Sequence, residues 1–242
     1  MKIELFGYTF NLNNGHDLSI ALSEEGPRAW YVDAARIEPV MTERFTGSVA
    51  AGGAVNFRNV AFNPHGHGTH TENAGHILAE APSVINSVNQ VFYLAQLVTV
   101  DLEEREGDLM VSDFGTIFPE VEALIVRTKP NDHSKLSKLY SGTNFPYVHV
   151  TAIEQLNKTS VKHLLIDLPS IDREEDGGAL AAHHLFWNVP HAPQWNKTIT
   201  EFIFVKNEIE DGLYALNLQV ANFNNDAAPS RPLIFSRQEN KE

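Results

Sequence analysis

Three apolar stretches in the middle of the chain constrain its fold more than any other feature. They span residues 91–100, 121–127 and 161–168. Each has the length and apolarity of a strand buried inside a sheet. The pattern from Thr151 to Glu154 predicts a helix that opens at Thr151 and runs to about Asn157. Polar residues from Asp167 to Asp172 then follow the third strand. This order favours an α/β protein with its chemistry at the carboxyl end of a central strand.

Further strands are predicted on both sides of this middle region. They cover residues 3–12, 17–22, 55–62, 199–205, 213–223 and 232–235. Asn13-Asn14-Gly15 is a turn signal after the first of them. Residues 130–140 carry lysines and polar side chains and are predicted to be an exposed loop or short helix. The chain contains no linker or repeat, so residues 1–242 are predicted to form a single domain.

Charge and composition exclude several classes of function. Acidic residues outnumber basic ones by 31 to 18, which gives a formal charge of −13 and repels nucleic acid and anionic membranes. The chain has no cysteine, so any metal must bind nitrogen or oxygen donors. The first ten residues lack a signal-peptide pattern, and no later run is long and apolar enough to span a bilayer. A cytoplasmic protein is therefore expected.

One short segment concentrates groups that bind metals. Between residues 63 and 76 lie four histidines and one glutamate: His65, His67, His70, His76 and Glu72. The β-branched residue between His70 and Glu72 favours an extended backbone, which puts both side chains on one face. Glycines around residue 67 let the chain bend so that His65 reaches the same face. The segment predicts a metal held by His65, His70 and Glu72, with His76 as a proton carrier. A glycine-rich surface loop with inert histidines is the alternative.

Other polar residues in apolar surroundings are less specific. His163 lies inside an apolar strand and is predicted to be packed or at a sheet edge. Glu201 lies in the otherwise apolar strand predicted for residues 199–205. Because a buried, unpaired carboxylate is costly, Glu201 is predicted to be exposed, paired or bound to metal. His184 and His191 belong to a second group of histidines and are predicted to be loop residues.

The block Gly68-Thr-His-Thr-Glu-Asn-Ala-Gly-His76 resembles the signature H-x-G-T-H-x-D-x-x-x-H of the cyclase family of metal hydrolases, which includes kynurenine formamidase and isatin hydrolase. The resemblance continues in chain order through most of the sequence. It includes the predicted helix at residues 151–156, the D-T-x-S-x-D-like stretch 165–172, His183 as the late histidine, Glu201 at the I-I-E-N position, and closing patterns at 212–216 and 228–232.

The resemblance implies a swivelling β/β/α fold, with a mixed sheet and flanking helices. It implies hydrolysis of an aryl formamide or cyclic amide by water activated on one or two divalent ions, zinc or manganese. His65, His70 and Glu72 would hold the first ion, and Glu72, His183 and Glu201 the second. His76 would carry the proton from the attacking water to the leaving amine. A small-molecule amide is then the partner, and a homo-oligomer, a dimer or tetramer, is expected.

Two departures from the family pattern fall on predicted ligands. The family's first histidine aligns with Gly66, so His65 or His67 must serve instead, and His65 is preferred because His67 occupies a position that the family leaves free. Glu72 replaces the family's aspartate. A cupin is one alternative, with a metal on His65, His67 and Glu72. A metal-binding member of the family without catalytic activity is another.

Overall fold

The computed structural model describes residues 1–238. The strands are β1 (Lys2–Leu5), β2 (Tyr8–Asp17), β3 (Arg36–Pro39), β4 (Met41–Thr42), β5 (Phe45–Thr46), β6 (Arg58–Ala61), β7 (His70–Glu72), β8 (Tyr93–Asp101), β9 (Glu103–Arg105), β10 (Asp108–Val111), β11 (Ala123–Lys129), β12 (Tyr147–Val148), β13 (His163–Ile166), β14 (Thr198–Glu201), β15 (Gly212–Val220) and β16 (Ala227–Arg237). The α-helices are α1 (Val150–Leu156) and α2 (Ala181–Trp187), and 3-10 helices occupy Ala74–Ile77, Val84–Asn86 and His133–Leu136. Within residues 1–238 no helix has the length and apolarity needed to cross a membrane.

A mixed sheet closed into a barrel organises the molecule. The strand order is β16-β15-β8-β11-β13-β14-β7, and β7 pairs with the start of β16 to close the ring. Strands β8, β11, β13 and β14 are parallel to one another. The β1–β2 hairpin pairs with the later part of β16. The predicted α/β class, with a mixed sheet and flanking helices, is confirmed.

The three apolar stretches form β8, β11 and β13, as predicted, and both faces of these strands are buried. On one face Leu124 and Leu164 pack in a cluster with Ile153 of α1 and Phe186 of α2. On the other face the alternate residues, including Ile125, pack in a second cluster with β15 and β16. Because side chains alternate along a strand, burial of both faces produces an unbroken apolar run in the sequence.

The predicted turn at Asn13-Asn14-Gly15 is wrong. The turn lies at Phe6-Gly7, where both residues have positive φ, 48° and 81°, and β2 continues through Asp17. Gly15 packs closely against Phe235: a Cβ there would lie 2.7 Å from Cε1 of the phenylalanine, so the ring would have to shift. A glycine needed for close packing and one needed for a turn look the same in a sequence.

Three other local predictions are corrected. The helix begins at Val150, because the ring of His149 accepts a hydrogen bond from the Thr151 backbone and replaces the predicted cap. The strand predicted at residues 17–22 is reduced, beyond the end of β2, to an isolated bridge between Ser19 and Ile203. Residues 130–140 do include a short 3-10 helix, but Lys135 within it is buried rather than exposed.

His163 is packed, which is one of the two outcomes predicted for it. Its Nδ1 lies 2.8 Å from Oγ1 of Thr198, and its ring centroid lies 4.2 Å from that of Tyr93. Burial, with a smaller contribution from the neighbouring Lys162 ammonium, lowers the pKa of His163 to about 3.

This lowered pKa predicts a loss of stability in mild acid. Below the ordinary histidine pKa of 6.5 the unfolded chain binds a proton here, while the folded chain does not until about pH 3. The contribution of His163 to stability is therefore complete above pH 6.5 and declines as the pH falls towards 3. At about 1.4 kcal/mol per pH unit, the wild type should lose about 2 kcal/mol more than His163→Gln between about pH 6.5 and 5. Urea unfolding at both pH values measures this difference, and parallel curves for the two proteins would contradict it.

Candidate metal centre

Strand pairing brings the first three candidate ligands together. In β7, His70 and Glu72 are two residues apart and face the same side of the sheet. Glu201, at the end of β14, is paired directly with His70. Oγ1 of Thr71 and Oγ1 of Thr200, which lie on the opposite face, hydrogen-bond at 2.8 Å and secure this register. All three site residues are buried, so their donor atoms converge away from solvent.

The turn before β7 directs His65 towards Glu72. Oδ1 of Asn63 accepts hydrogen bonds from the backbone N–H groups of His65 and Gly66, at 2.9 and 3.0 Å. This bend places Nδ1 of His65 2.9 Å from Oε2 of Glu72. A Cβ at Gly66 would instead lie 2.8 Å from Cγ2 of Val32. The backbone therefore presents the side chain of residue 65 and has no room for one at residue 66.

His67 belongs to the scaffold. Its Nδ1 accepts a hydrogen bond from the Asn63 backbone N–H at 2.9 Å, and its Nε2 lies 2.7 Å from the carbonyl oxygen of Asp33. Both ring nitrogens are thus engaged with main-chain groups. His67 ties the histidine segment to the loop around Asp33 and offers no nitrogen to Glu72.

The far part of the chain contributes His183 from α2. Its Nε2 lies 3.1 Å from Oε1 of Glu72 and 3.9 Å from Oε1 of Glu201. Its Nδ1 lies 2.6 Å from Oδ2 of Asp172. The same carboxylate accepts the backbone N–H groups of Ala182 and His183, at 2.8 and 3.0 Å. Asp172, from the polar stretch after β13, therefore fixes both the start of α2 and the orientation of the His183 ring.

Two groups of potential ligands share Glu72. The donor atoms of His65, Glu72 and His76 lie within 4.8 Å of one another, and so do those of His70, Glu72 and Glu201. One oxygen of Glu201 accepts the backbone N–H of Ile171 at 3.1 Å, which leaves the other free for the cluster. A carboxylate common to two groups of nitrogen and oxygen donors has the composition of a site for one or two divalent ions.

The electrostatics of the cluster favour positive charge at its centre. Burial alone would lower the pKa of both His65 and His183. Hydrogen bonds to Asp226 and Glu72 instead raise the pKa of His65 to about 10. Hydrogen bonds to Asp172 and Glu72 raise the pKa of His183 to about 10 as well. Burial and the adjacent charge of Glu72 raise the pKa of Glu201. The imidazoles of His65 and His183 therefore hold protons beside the buried carboxylates, and a cation would displace these protons on binding.

One buried nitrogen gives a direct test of fit. Within residues 1–238, Nε2 of His70 has no hydrogen-bond partner although it is inaccessible to solvent. It lies 3.4 Å from Oε2 of Glu201, while Nδ1 of the same ring is 3.2 Å from the Gly68 carbonyl oxygen. A buried imidazole nitrogen without a partner is costly unless something binds it. The donor set therefore fits a divalent cation held by His70, Glu72 and Glu201.

The family model described as "Putative cyclase" matches residues 16–173. The chain belongs to the cyclase family. It is 28% identical to kynurenine formamidase of Bacillus cereus over 185 residues, which cover 75% of this chain and 81% of that protein. Membership excludes the cupin alternative, in agreement with the orientation of His67.

Solved structures agree with this membership at the level of the fold. Isatin hydrolase A from Labrenzia aggregata, bound to benzyl benzoate, matches with a TM-score of 0.66 and 15% identity over 93% of this chain and 94% of that one. A predicted metal-dependent hydrolase from Bacillus stearothermophilus matches with a TM-score of 0.63 and 15% identity over 92% and 98% of the two chains.

The cyclase-family motifs of this chain meet at one place, although they are far apart in the sequence. The structure gathers His65, His70, Glu72, His183 and Glu201, whose roles as ligands stay predictions. His76, from the 3-10 helix after β7, places its Nδ1 3.8 Å from Oε2 of Glu72. His184 lies in α2 rather than in a loop, with Nδ1 3.3 Å from the Val189 carbonyl oxygen, and His191 lies exposed in the following loop.

Two residues near the cyclase-family site were not predicted to belong to it. Asp226, just before β16, lies 2.8 Å from Nε2 of His65. Trp30 forms part of the wall of the adjacent cavity. Asp226 stands in an Asn-rich stretch that is typical of a turn, and the residues around Trp30 lack a regular pattern. No local signal in the sequence links either residue to the histidine segment.

Proposed function

We propose that this chain is a metal-dependent hydrolase that cleaves the C–N bond of an aryl formamide or a small cyclic amide. The observation that supports this most directly is the convergence of His65, His70 and His183 on Glu72 and Glu201. Each imidazole turns one nitrogen towards these buried carboxylates and holds its other nitrogen against an acceptor. Hydrolysis adds the water oxygen to the carbonyl carbon, breaks the C–N bond and moves a proton to the leaving nitrogen.

The candidate ligands are the five residues predicted from the sequence: His65, His70, Glu72, His183 and Glu201. A divalent cation bound by them would supply a water with its pKa lowered to about 7 and would polarise the carbonyl under attack. Glu72 contacts His65 and His183 through different oxygens, so it can serve two donor groups at once.

His76 is suited to carry the proton. Its side chain is 30% exposed and lines the cavity beside the cluster, whereas His70 and His183 are buried. The ring of His76 lies 4.2 Å from that of His65, which places it at the edge of the donor group. An imidazole in this position can take a proton from water and return it to the leaving amine.

The cavity supports a small, uncharged substrate. Its volume is about 320 Å³, near the lower limit of about 300 Å³ for ligand pockets. Trp30 and Leu180 form apolar walls, and neither lysine nor arginine is among the described residues that line it. The ring of Trp30 is held edge-on by Phe145 at 5.6 Å. An aryl or cyclic amide fits this combination better than an amide with a carboxylate group.

A hydrolysis panel tests the proposal. Protein loaded with Zn²⁺ or Mn²⁺ is mixed with formanilides, small lactams and isatin, together with acidic analogues of each, and product formation is followed by chromatography. We expect turnover of neutral substrates, and a loss of about a hundredfold or more in kcat for His76→Ala. If the metal-loaded protein hydrolyses no substrate in the panel, and His76→Ala binds metal and is otherwise unchanged relative to the wild type, the chain is a metal-binding protein without this activity.

Alanine substitution should show which of the two candidate histidines, His65 or His67, occupies the first ligand position. His65→Ala is expected to weaken Zn²⁺ binding by about tenfold or more, because it removes a nitrogen directed at Glu72. His67→Ala should keep the affinity and lose thermal stability, because its ring bonds to main-chain groups. Chelator competition gives the affinities and calorimetry the stability. The opposite pattern would assign His67 as the ligand.

A further inference from the structure

A carboxylate from the far end of the chain stands behind His65. Oδ2 of Asp226 lies 2.8 Å from Nε2 of His65, while Nδ1 of the same ring lies 2.9 Å from Oε2 of Glu72. The imidazole is therefore held between an inner carboxylate, which belongs to the candidate metal cluster, and an outer one. The side chain of Asp226 is 26% exposed, whereas that of Glu72 is only 1% exposed, so Asp226 lies on the solvent side of the His65 ring and Glu72 on the buried side.

The same arrangement recurs at the other two histidines of the cluster. His183 directs Nε2 at Glu72 and has Asp172 2.6 Å behind its Nδ1. His70 directs Nε2 at Glu201 and has the Gly68 carbonyl oxygen 3.2 Å behind its Nδ1. An acceptor behind a metal-binding imidazole fixes which nitrogen carries the proton, orients the ring and makes the inner nitrogen a better donor. His65 would lack this support without Asp226.

We propose that Asp226 is the positioning residue of His65: it holds the Nε2–H and turns Nδ1 towards Glu72, so that a histidine one residue before the family's position can bind metal. This inference rests on the proposed metal site. It accounts for the departure at Gly66, where the backbone leaves no room for a side chain. The change in ligand position is thus coupled to a residue more than a hundred positions away in the sequence.

The backbone holds Asp226 in place independently of its side chain. Ala227 is the partner of Glu72 in the pairing of β16 with β7, so Asp226 stands beside the cluster by register. Its carbonyl oxygen accepts the backbone N–H of Asn73 at 3.1 Å, and the neighbouring Asn225 carbonyl accepts that of Val84 at 2.9 Å. Substitution of the Asp226 side chain leaves these bonds intact, so the variants are expected to fold.

His76 is the other group that Asp226 could serve. Nδ1 of His76 lies 3.8 Å from Oδ2 of Asp226, which is too long for a hydrogen bond. The 2.8 Å contact with His65 is the shorter of the two. The geometry therefore assigns the carboxylate to His65.

The test measures Zn²⁺ affinity by chelator competition in Asp226→Ala, Asp226→Asn and the control Asp17→Asn. Asp17 is a comparable carboxylate, 38% exposed and bonded to Nε of Arg231 at 2.7 Å. We expect Asp226→Ala to weaken binding by about 10- to 100-fold, which is the usual cost of removing such a partner. Asp226→Asn should fall between, since an amide oxygen still accepts from Nε2–H, and Asp17→Asn should bind as the wild type does.

A double-mutant cycle with His65→Ala separates positioning from other roles. If Asp226 acts through His65, Asp226→Ala should have no further effect on Zn²⁺ affinity in the His65→Ala background. An effect that persists in that background would mean that Asp226 binds the ion directly, and it would overturn the inference. Wild-type affinity in Asp226→Ala would overturn it as well while leaving the metal site standing. Failure of the wild type itself to bind Zn²⁺ or Mn²⁺ would instead refute the proposed function.

Discussion

Glu72→Gln should lower kcat/KM by about three orders of magnitude on whichever amide the panel identifies. Glu72 is the only residue common to both groups of potential ligands, and it is in contact with His65 and His183. Glutamine keeps the size of the side chain but removes its charge, so two inward-facing histidines lose their anionic partner. Loss of several kcal/mol of metal-assisted transition-state stabilisation corresponds to about a thousandfold in rate.

The metal content of Glu72→Gln should fall together with the rate. Glu122→Gln is a matched control, because Glu122 is also largely buried, at 13% exposure, and lies 3.7 Å from Nζ of Lys162. It should keep both activity and metal. Glu72→Gln protein with full metal occupancy and unchanged kcat/KM would remove Glu72 from the site. Inductively coupled plasma analysis and steady-state kinetics on the same samples give both quantities.

Asp167→Asn should lower the free energy of unfolding by about 3 to 5 kcal/mol. Asp167 is fully buried at its side chain, and its Oδ2 lies 2.7 Å from Nζ of Lys135, itself only 11% exposed. The same carboxylate accepts the backbone N–H and the hydroxyl of Thr128, each at 2.9 Å. Removing the negative charge leaves a buried ammonium without its counter-ion. An amide also has one acceptor oxygen where the carboxylate has two, so one of the two hydrogen bonds from Thr128 is lost.

A second variant distinguishes the buried pair from a general packing defect. Replacing both partners, as Asp167→Leu with Lys135→Met, removes both charges. Only neutral groups, the N–H and the hydroxyl of Thr128, then lose their acceptor, and this costs less than an uncompensated buried charge. The double variant should therefore be more stable than Asp167→Asn. Urea unfolding of the wild type and both variants supplies the comparison. If the double variant is the least stable of the three, the ion pair is not what makes Asp167 important.

The local patterns that succeeded are those whose physical cause lies within a few residues. The buried strands β8, β11 and β13 are recognisable in the sequence as unbroken apolar runs, because both faces of each strand are buried. Glycine and capping signals were less reliable. Gly15 lies in a strand and packs against a phenylalanine more than two hundred residues away, and the start of α1 is set by His149, which is not a typical cap. In both cases a tertiary contact or an unusual side chain overrides the local propensity.

The sequence by itself determined the fold class, the family and the residue types of the candidate site. The family motifs occur in a fixed order along the chain, and the buried strands are visible as apolar runs. Zinc or manganese as the ion, the homo-oligomer and the cytoplasmic location stay predictions. Only the tertiary structure decided that His65 rather than His67 faces Glu72, since the choice depends on how Asn63 turns the backbone and on the space beside Gly66. Only the tertiary structure brought Asp226 behind His65, because strand pairing between β7 and β16 joins residues that no local pattern connects.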